Sequence, residues 1–371
     1  MFDKEKIKKI LRDSPGLTGK QIAKTLGVGD KSVFNKFLYA NSEGLRQGDD
    51  WKWYLADDDY VLDLVAPASW IGADDFEDCL TASGCLLSSH ANNCVIRFPE
   101  NCKILLIAGA RVIALANQAA YRGKSVELDF SGCPGTKHYL DRLGFFEHLS
   151  NSVSVLPARP VDSKARRYRG NSKNLVEIAS INLDTFDYSL PKHLTQRFAF
   201  HAGENYYQSA FTIFSELIGN VQEHSETPLP GFVALQLYKG NRRHRRHIQT
   251  VISDSGLGIG PTLKRNLKKY YPELSKRLGM AGVDSDIYLV SRALTQGGLS
   301  QFGSDPDEAA RGLGLKRTQT HAAKYDAVVV VRQPDFELKI VYKDGELAKI
   351  IEKKGLSRIE GTQVCFDFFL D

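Results

Sequence analysis

A carboxylate and a carboxamide recur at helical spacing in the predicted helix 205–225. Thr212, Glu216 and Asn220 are each four residues apart, so they lie on one face of that helix. An amide oxygen can hold a Mg²⁺ ion that keeps most of its waters, and a nearby carboxylate can orient or deprotonate a nucleophile. An exposed polar face explains this spacing equally well. The opposite face is predicted to pack through Phe211, Phe214, Leu217, Ile218 and Val221.

Two glycine-rich segments follow this helix along the chain. Asp254 comes directly after a predicted strand, and Gly256 and Gly258 follow it at alternate positions. An acceptor beside a backbone without side chains suits the close approach of a flat ring. Gly312 and Gly314 open a predicted helix, where exposed N–H groups and the helix dipole favour phosphate oxygens. Each segment alone is weak support for a nucleotide site.

Taken together, the order and spacing of these motifs resemble the GHKL ATPase superfamily, which joins gyrase-type topoisomerases, heat-shock chaperones, histidine kinases and mismatch-repair ATPases. The matching segments are E-L-I-G-N-V-Q-E-H-S, D-S-G-L-G, G-L-G-L and a closing G-T at Gly361-Thr362. They cover about residues 175–371, roughly half of the chain. No G-x-x-x-x-G-K-[ST] segment is present, which excludes the P-loop as the nucleotide motif.

The resemblance implies ATP and Mg²⁺ as ligands and gives individual residues a role. Glu216 is implied as the general base and Asn220 as the Mg²⁺ ligand. Asp254 is implied to accept the adenine amino group, with Thr362 in the same network, and residues 296–311 are implied to form a lid. The other implied contacts are Gly256 and Gly258 at the base, Gly312 and Gly314 at the phosphates, and Arg311 and Lys316 at the lid edge.

Three uses of ATP remain open from the sequence. The first is hydrolysis that drives a conformational switch, with DNA, a partner protein or a second copy of the chain responding to it. The second is a Ser/Thr protein kinase of the anti-sigma type, in which the residue at the position of Glu216 serves phosphotransfer. The third is a DNA-binding regulator that senses ATP without hydrolysing it. The first is the preferred hypothesis.

Residues 1–56 are predicted to form three helices and a hairpin, and the segment T-G-K-Q-I-A-K-T-L-G-V-G-D-K-S-V-F-N-K-F-L resembles the second and third helices of a winged helix-turn-helix. That family places its third helix in the major groove of DNA. Proteins are equally plausible partners for such a unit. The residues expected at DNA are Lys31, Ser32, Asn35 and Lys36 at base edges, and Lys20, Lys24, Arg46 and Lys52 at phosphates.

Residues 60–160 alternate predicted strands and helices, which indicates a small α/β layer. The segment V-E-L-D-F-S-G-C-P-G-T, followed by H-Y-L-D-R-L-G-F-F, resembles a STAS-type domain. Signalling members of that family carry a phosphorylatable serine at the start of the helix, where this chain has Gly135-Thr136. Ser131 is the other loose substitute. The favoured interpretation is that Thr136 is the N-cap of a helix over 136–149.

The composition limits the class of protein. The 371 residues include 49 Lys and Arg, 44 Asp and Glu and 42% hydrophobic residues, which is typical of a soluble globular chain. No signal peptide or membrane span is predicted, so a cytoplasmic location is expected. The six cysteines lack zinc-ligand spacing. The predicted fold is multidomain α/β, with a winged helix at 1–56, a STAS-like domain at 60–160 and a GHKL sandwich around a mixed sheet at 175–371.

Overall fold

Helices and four β-sheets make up the described residues, which confirms the α/β class. Among the parts that are described, no helix has the length and apolar character needed to cross a membrane. The structure is a computed structural model, and it describes residues 2–14, 16–42, 44–47, 51–55, 59–65, 70–89, 91–182, 186–240, 245–281, 284–295 and 326–370.

The N-terminal elements are three helices around a three-stranded antiparallel sheet. Thr18 caps the second helix in a capping box with Gln21. Asp30 caps the third helix by accepting from the backbone of Ser32 and Val33. The elements are α1 (Lys4–Asp13), β1 (Leu17–Thr18), α2 (Gly19–Thr25), α3 (Lys31–Ala40), β2 (Leu45–Gln47) and β3 (Lys52–Leu55).

The middle elements form a four-stranded parallel sheet in the order β4-β6-β8-β9, with a separate pair β5-β7. A helix connects each strand to the next in this sheet, as expected for parallel strands. The elements are β4 (Tyr60–Asp63), β5 (Trp70–Ile71), α4 (Ala73–Ser83), β6 (Asn93–Arg97), β7 (Lys103–Ile104), α5 (Leu106–Tyr121), β8 (Ser125–Asp129), α6 (Pro134–Leu143), α7 (Phe145–His148), β9 (Ser154–Leu156) and α8 (Lys164–Tyr168).

Two helix predictions in this middle region were wrong in extent. The apolar run at 102–121 predicts a helix over that whole range, but the helix begins only at Leu106, because Lys103 and Ile104 pair with Trp70 and Ile71 instead. The helix expected at 136–149 starts at Pro134 and breaks at Gly144, whose φ of +89° is a left-handed conformation that favours glycine.

The C-terminal elements surround a seven-stranded sheet in the order β10-β11-β12-β16-β13-β14-β15. Every described pair in it is antiparallel, so the mixed sheet expected from the sequence was wrong. The cause is connectivity: β11-β12 and β13-β14-β15 are hairpins, and β16 inserts between them. The elements are β10 (Leu175–Ile181), α9 (Leu190–Ala202), α10 (Tyr207–His224), β11 (Gly231–Tyr238), β12 (His247–Ser253), α11 (Ile259–Tyr270), α12 (Pro272–Ala281), α13 (Ser285–Thr295), β13 (Ala327–Arg332), β14 (Phe336–Lys343), β15 (Glu346–Lys354) and β16 (Gln363–Phe369).

The two faces of this sheet pack against different helices, because side chains alternate along each strand. Ile248, Ile252 and Phe366 lie in one apolar cluster with α9 and α10. Val251 and Cys365 lie in another cluster, which they share with α5 and the parallel sheet. The C-terminal sheet is therefore covered by its own helices on one face and by the middle elements on the other.

Candidate functional site

The predicted polar face of α10 is half-buried in the structure. Glu216 and Asn220 are both partly exposed, while Phe214, Leu217, Ile218 and Val221 pack into the core as expected. Phe211 does not join them: its side chain is 37% exposed, so its predicted core position was wrong. The helix thus presents a carboxylate and a carboxamide one turn apart at the edge of the core.

The loop after β12 folds back on the residue that precedes β16. Asp254 donates its backbone N–H to Thr362 O at 2.9 Å, which continues the pairing of Ser253 with Gln363. Gly256 N donates to Asp254 Oδ1 at 2.7 Å. The Thr362 side chain also bonds to the Asp254 carboxyl group. Asp254 and Thr362, which are 108 positions apart in the printed numbering, are thereby held in one hydrogen-bonded pair.

The Asp254 carboxyl group is shielded from solvent, with a residue exposure of 9%. Burial raises its pKa to about 6, because removal from water disfavours the charged form. The hydrogen bonds from Gly256 and Thr362 act in the opposite direction and hold the pKa below the value that burial alone would give. At neutral pH this side chain is consequently a buried, ionised acceptor.

Glycine residues let the backbone segments of the site touch one another. A Cβ atom at Gly256 would overlap the backbone of Ser225, which ends α10, and one at Gly361 would overlap the backbone of Asp254. Gly361 also has a φ of +90°. The Asp254 loop therefore lies directly against the end of the helix that carries Glu216 and Asn220, and side chains at these two glycines would push the segments apart.

Gln333 is a site residue that the sequence did not suggest. Its side chain is fully buried and donates from Nε2 to Thr362 Oγ1 at 3.1 Å. Its Oε1 accepts from Ile259 N, the first residue of α11, at 2.7 Å. Gly258, which precedes that helix, has a φ of +88° and packs against the same amide. Gln333 therefore ties the glycine-rich loop to Thr362, and only its place at the end of a strand marks it in the sequence.

The remaining predicted nucleotide residues lie outside the described part of the chain. Among them is the implied lid over 296–311. The others are Arg311, Gly312, Gly314 and Lys316.

The predicted DNA residues of α3 share one exposed surface. Lys31, Ser32, Asn35 and Lys36 are all exposed, whereas Lys52 on β3 is only half-buried. Asn35 lies against α2, because a Cβ atom at Gly19 would overlap its Oδ1. Val33, which is also exposed, lies at the edge of this face beside Lys36. The surface is polar and basic with an apolar side chain at one edge, which suits a nucleic-acid groove or a protein.

Thr136 does not cap α6. The helix begins at Pro134 with Cys133 at the N-cap, and the Thr136 hydroxyl donates to the backbone carbonyl of Cys102 inside the core. The predicted N-cap role was therefore wrong, and the buried hydroxyl is also inaccessible to a kinase. Ser131 is exposed, and its backbone N–H donates to Asp129 Oδ1 at 2.9 Å.

Helix α5 is fastened to the C-terminal sheet by polar contacts. Its first two residues donate their backbone N–H groups to that sheet: Leu106 to Tyr238 OH at 2.7 Å, and Ile107 to Gln249 Oε1 at 2.9 Å. Near its other end, Gln118 contacts the loops that carry Asp254 and Thr362. Every residue from Leu106 to Ala119 is buried. The middle elements thus reach the back of the candidate site.

Comparisons with known proteins leave the family open. No family model matches the chain, and no curated protein matches it. Among the solved structures with some similarity is the crystal structure of the N-terminal domain of a DNA repair protein, at 18% identity and a TM-score of 0.15. That alignment covers 33% of this chain and 28% of the other chain, so it spans less than a third of the other chain's length.

Proposed function

We propose that this chain binds ATP with Mg²⁺ in a GHKL-type site and hydrolyses it to switch conformation. The observation that supports this best is the contact of the Asp254 loop with the end of α10 at Gly256 and Ser225. Two distant segments that resemble the same ATPase superfamily meet there, one with a buried acceptor and one with Glu216 and Asn220. If the polar face of α10 were only a solvated surface, the end of the helix would not need to contact a loop with a buried acceptor.

The base of the nucleotide would be held by Asp254. A carboxylate offers about four acceptor positions, and Gly256 and Thr362 use only part of them. Because the pKa of this buried group is about 6, it is ionised at neutral pH and accepts an amino group rather than donating to it. Gly256 and Gly258 let the loop pack closely against Ser225 and Gln333, which fixes the backbone beside the Asp254 carboxylate. This donor set fits adenine.

The phosphate side would be held by Asn220 together with the glycines at 312 and 314 and the cations Arg311 and Lys316. One amide oxygen is the kind of sparse protein ligand that Mg²⁺ takes when phosphates and water fill its other positions. When bound, Mg²⁺ would neutralise charge on the phosphate oxygens. Asn220 would contribute its side-chain amide oxygen to the Mg²⁺ ion on the phosphate side. Its position one turn before the end of α10 permits this orientation.

Glu216 would act as the general base. It lies one helical turn before Asn220, so both side chains would face the same ligand. Its side chain is half-buried and therefore still has access to water. The carboxylate would accept the proton of the attacking water as the bond to the terminal phosphate breaks. A positioned base of this kind contributes about 10²–10⁴-fold to the rate.

The kinase alternative has weaker support than the switch. The middle elements, which resemble a STAS domain, pack on the face of the sheet opposite α10, so their helices do not face Glu216 and Asn220. Thr136 is buried as well. Phosphotransfer within one chain would require the middle elements to leave the sheet. Transfer to a separate partner, and ATP sensing without hydrolysis, remain as outcomes of the test below.

The N-terminal elements would carry the output of the switch. The exposed face of α3 with Lys31, Asn35 and Lys36 suits either the major groove of DNA or the surface of a partner protein. Binding to DNA can be recognised experimentally, because the affinity for DNA falls steeply as the salt concentration rises.

ATP labelled at the γ-phosphate tests the proposal. The native chain with Mg²⁺ should release free labelled phosphate; labelled protein would support the kinase instead, and binding without either would support the sensor. Asp254→Asn should abolish ATP binding. The matched control is Asp326→Asn, which alters a partly buried carboxylate next to β13 of the same sheet and should leave binding unchanged. Equal binding by both variants would contradict the site.

A further inference from the structure

We infer that Gln118 of α5 is a positioning residue for the nucleotide site and that the docked middle elements thereby set the affinity for ATP. This inference rests on the proposed function and adds to it a contact that regulates ATP affinity from outside the ATP-binding half of the chain. The contact is made by the buried Gln118 amide, which bonds to the loop after Asp254 and to the loop before Thr362.

The Gln118 amide makes three hydrogen bonds across the interface. Its Nε2 donates to Ser255 Oγ at 2.9 Å and to the backbone carbonyl of Glu360 at 3.0 Å. Its Oε1 accepts from the backbone N–H of Glu360 at 2.8 Å. Ser255 directly follows Asp254, and Glu360 directly precedes Gly361 and Thr362. One side chain therefore fixes the spacing of the two segments that hold the Asp254–Thr362 pair.

These bonds are strong constraints because Gln118 is only 2% exposed and water cannot replace them. The neighbouring turn adds a second contact to the same segment, since Arg122 Nη2 pairs with Glu360 Oε1 at 2.5 Å. Arg358 also pairs with Glu360, at 2.8 Å, from within the loop. The segment before Thr362 is thus held to α5 through both its backbone and its side chain.

Helix α5 is itself fixed to the sheet, so it can transmit a displacement. Its N-terminal N–H groups bind Tyr238 and Gln249, and Arg111 in its middle pairs with Glu337 of β14. Because α5 is held to the sheet at its start and middle and to the two loops through Gln118, a shift of the helix displaces both loops together. Undocking of α5 would release Ser255 and Glu360 together and loosen the acceptor for adenine.

The coupling must act in both directions. If docking of α5 tightens ATP binding, ATP binding tightens the docking of α5 by the same factor. The proposed switch then has a physical output: the occupied site favours the closed interface, and the empty site tolerates its opening. An event that pulls on the middle elements, such as DNA or partner binding, would lower the affinity for ATP.

The chain supplies a matched control one residue away. Asn117 is a buried amide of the same helix, but it bonds within the middle elements: its Nδ2 donates to His148 O at 3.0 Å, and its Oδ1 accepts from Ser150 N at 2.8 Å. Gln118→Met and Asn117→Leu both remove an amide from α5 at nearly constant volume. Only Gln118→Met breaks contacts with the loops that carry Ser255 and Glu360.

The experiment compares the native full-length chain with Gln118→Met and Asn117→Leu in ATP hydrolysis and in hydrogen exchange. Gln118→Met should raise the KM for ATP about tenfold with little change in kcat, and should speed exchange of peptides covering 253–258 and 359–363 without nucleotide. Asn117→Leu should leave both unchanged although it lowers the unfolding temperature similarly. Unfolding temperature alone would not separate a positioning role from a structural one, and KM does.

Three results would overturn the inference. Loops that exchange at the native rate in Gln118→Met would show that the amide does not hold them. Equal increases in KM for both variants would show a general loss of stability. Failure of the native chain to bind ATP would overturn the proposed function and this role with it, while the exchange rates would still report whether Gln118 holds the two loops.

Discussion

Arg111 of α5 and Glu337 of β14 form an ion pair in which Nη2 and Oε2 are 2.5 Å apart and both side chains are no more than 2% exposed. Glu77 of α4 completes the group, since it accepts from Arg111 Nη1 at 2.7 Å and from Arg332 Nε at 3.0 Å. Two guanidinium groups and two carboxylates therefore neutralise one another between the middle elements and the C-terminal sheet. Loss of one member leaves a buried charge without its partner.

The first prediction concerns this buried pair. Arg111→Met should lower the free energy of unfolding by about 3–5 kcal/mol, because Glu337 loses its guanidinium partner and cannot reach water. Urea denaturation measures the loss. Arg97→Met is the surface control: its pair with Asp63 is about half exposed on both sides, so its loss should cost less than about 1 kcal/mol.

A double variant separates charge from packing at the same site. Arg111→Met combined with Glu337→Leu should recover much of the lost stability, because no uncompensated carboxylate remains at position 337. A double variant as unstable as the sum of the single variants would contradict this account of the pair.

The second prediction concerns pH and Asp254. Its folded-state pKa of about 6 lies above the unfolded value near 3.8, so the folded chain binds the proton more tightly. This contribution to stability is fully present below about pH 3.8 and is lost as the pH rises through 6. It amounts to about 3 kcal/mol by linkage. Asp254→Asn should remove this part of the pH dependence, measured as the native-minus-variant difference in unfolding free energy.

The same titration bears on ligand binding. Protonation turns the Asp254 acceptor into a partial donor, so the affinity for ATP should fall as the pH drops below about 6, by up to tenfold for each pH unit. Calorimetric titration at pH 5, 6 and 7.5 checks this. A constant affinity across that range would argue against Asp254 as the acceptor for adenine.

The third prediction assigns the base. Glu216→Gln should retain ATP binding and reduce hydrolysis by at least about 10²-fold, because the amide cannot accept the proton of water. Glu223→Gln is the control, since it changes an exposed carboxylate two turns later on the same helix. Release of labelled phosphate measures both. Native-like hydrolysis by Glu216→Gln would exclude this residue as the base.

The fourth prediction concerns the face of α3. Lys31→Ala and Lys36→Ala should each weaken binding to a preferred duplex by about 1–3 kcal/mol and relax the sequence preference, because both lysines are predicted at base edges; titration against duplexes of different sequence measures this. Lys9→Ala on α1, also an exposed lysine, serves as the control. Equal effects of all three changes would point to non-specific charge, and no binding by the native chain would favour a protein partner for this face.

The sequence predicted the elements of the site better than their environment. The strand before Asp254 and the core face of α10 follow from apolar patterning, which depends only on local sequence. The antiparallel order of the seven strands does not follow from it, because β16 reaches its place between β12 and β13 through long-range pairing. The nucleotide roles themselves remain predictions.

The interface behind the site was missed for a definable reason. Helix α5 is apolar on nearly all sides, and Arg111, Asn117 and Gln118 are its buried polar residues. A polar side chain on a helix buried all round must find its partner inside the protein. Those three residues therefore indicate that other elements cover α5 on all sides, although the sequence alone does not identify the residues they bond to.

The capping of α5 by Tyr238 and Gln249 constrains the order in which the chain acquires its structure during synthesis. The two residues that receive the first N–H groups of α5 are translated more than a hundred codons after the helix itself. Until they leave the ribosome, the middle elements carry an uncapped helix start and an uncovered apolar surface. A nascent chain halted after residue 160 should accordingly be sensitive to protease, and resistance should appear only after β12 has emerged.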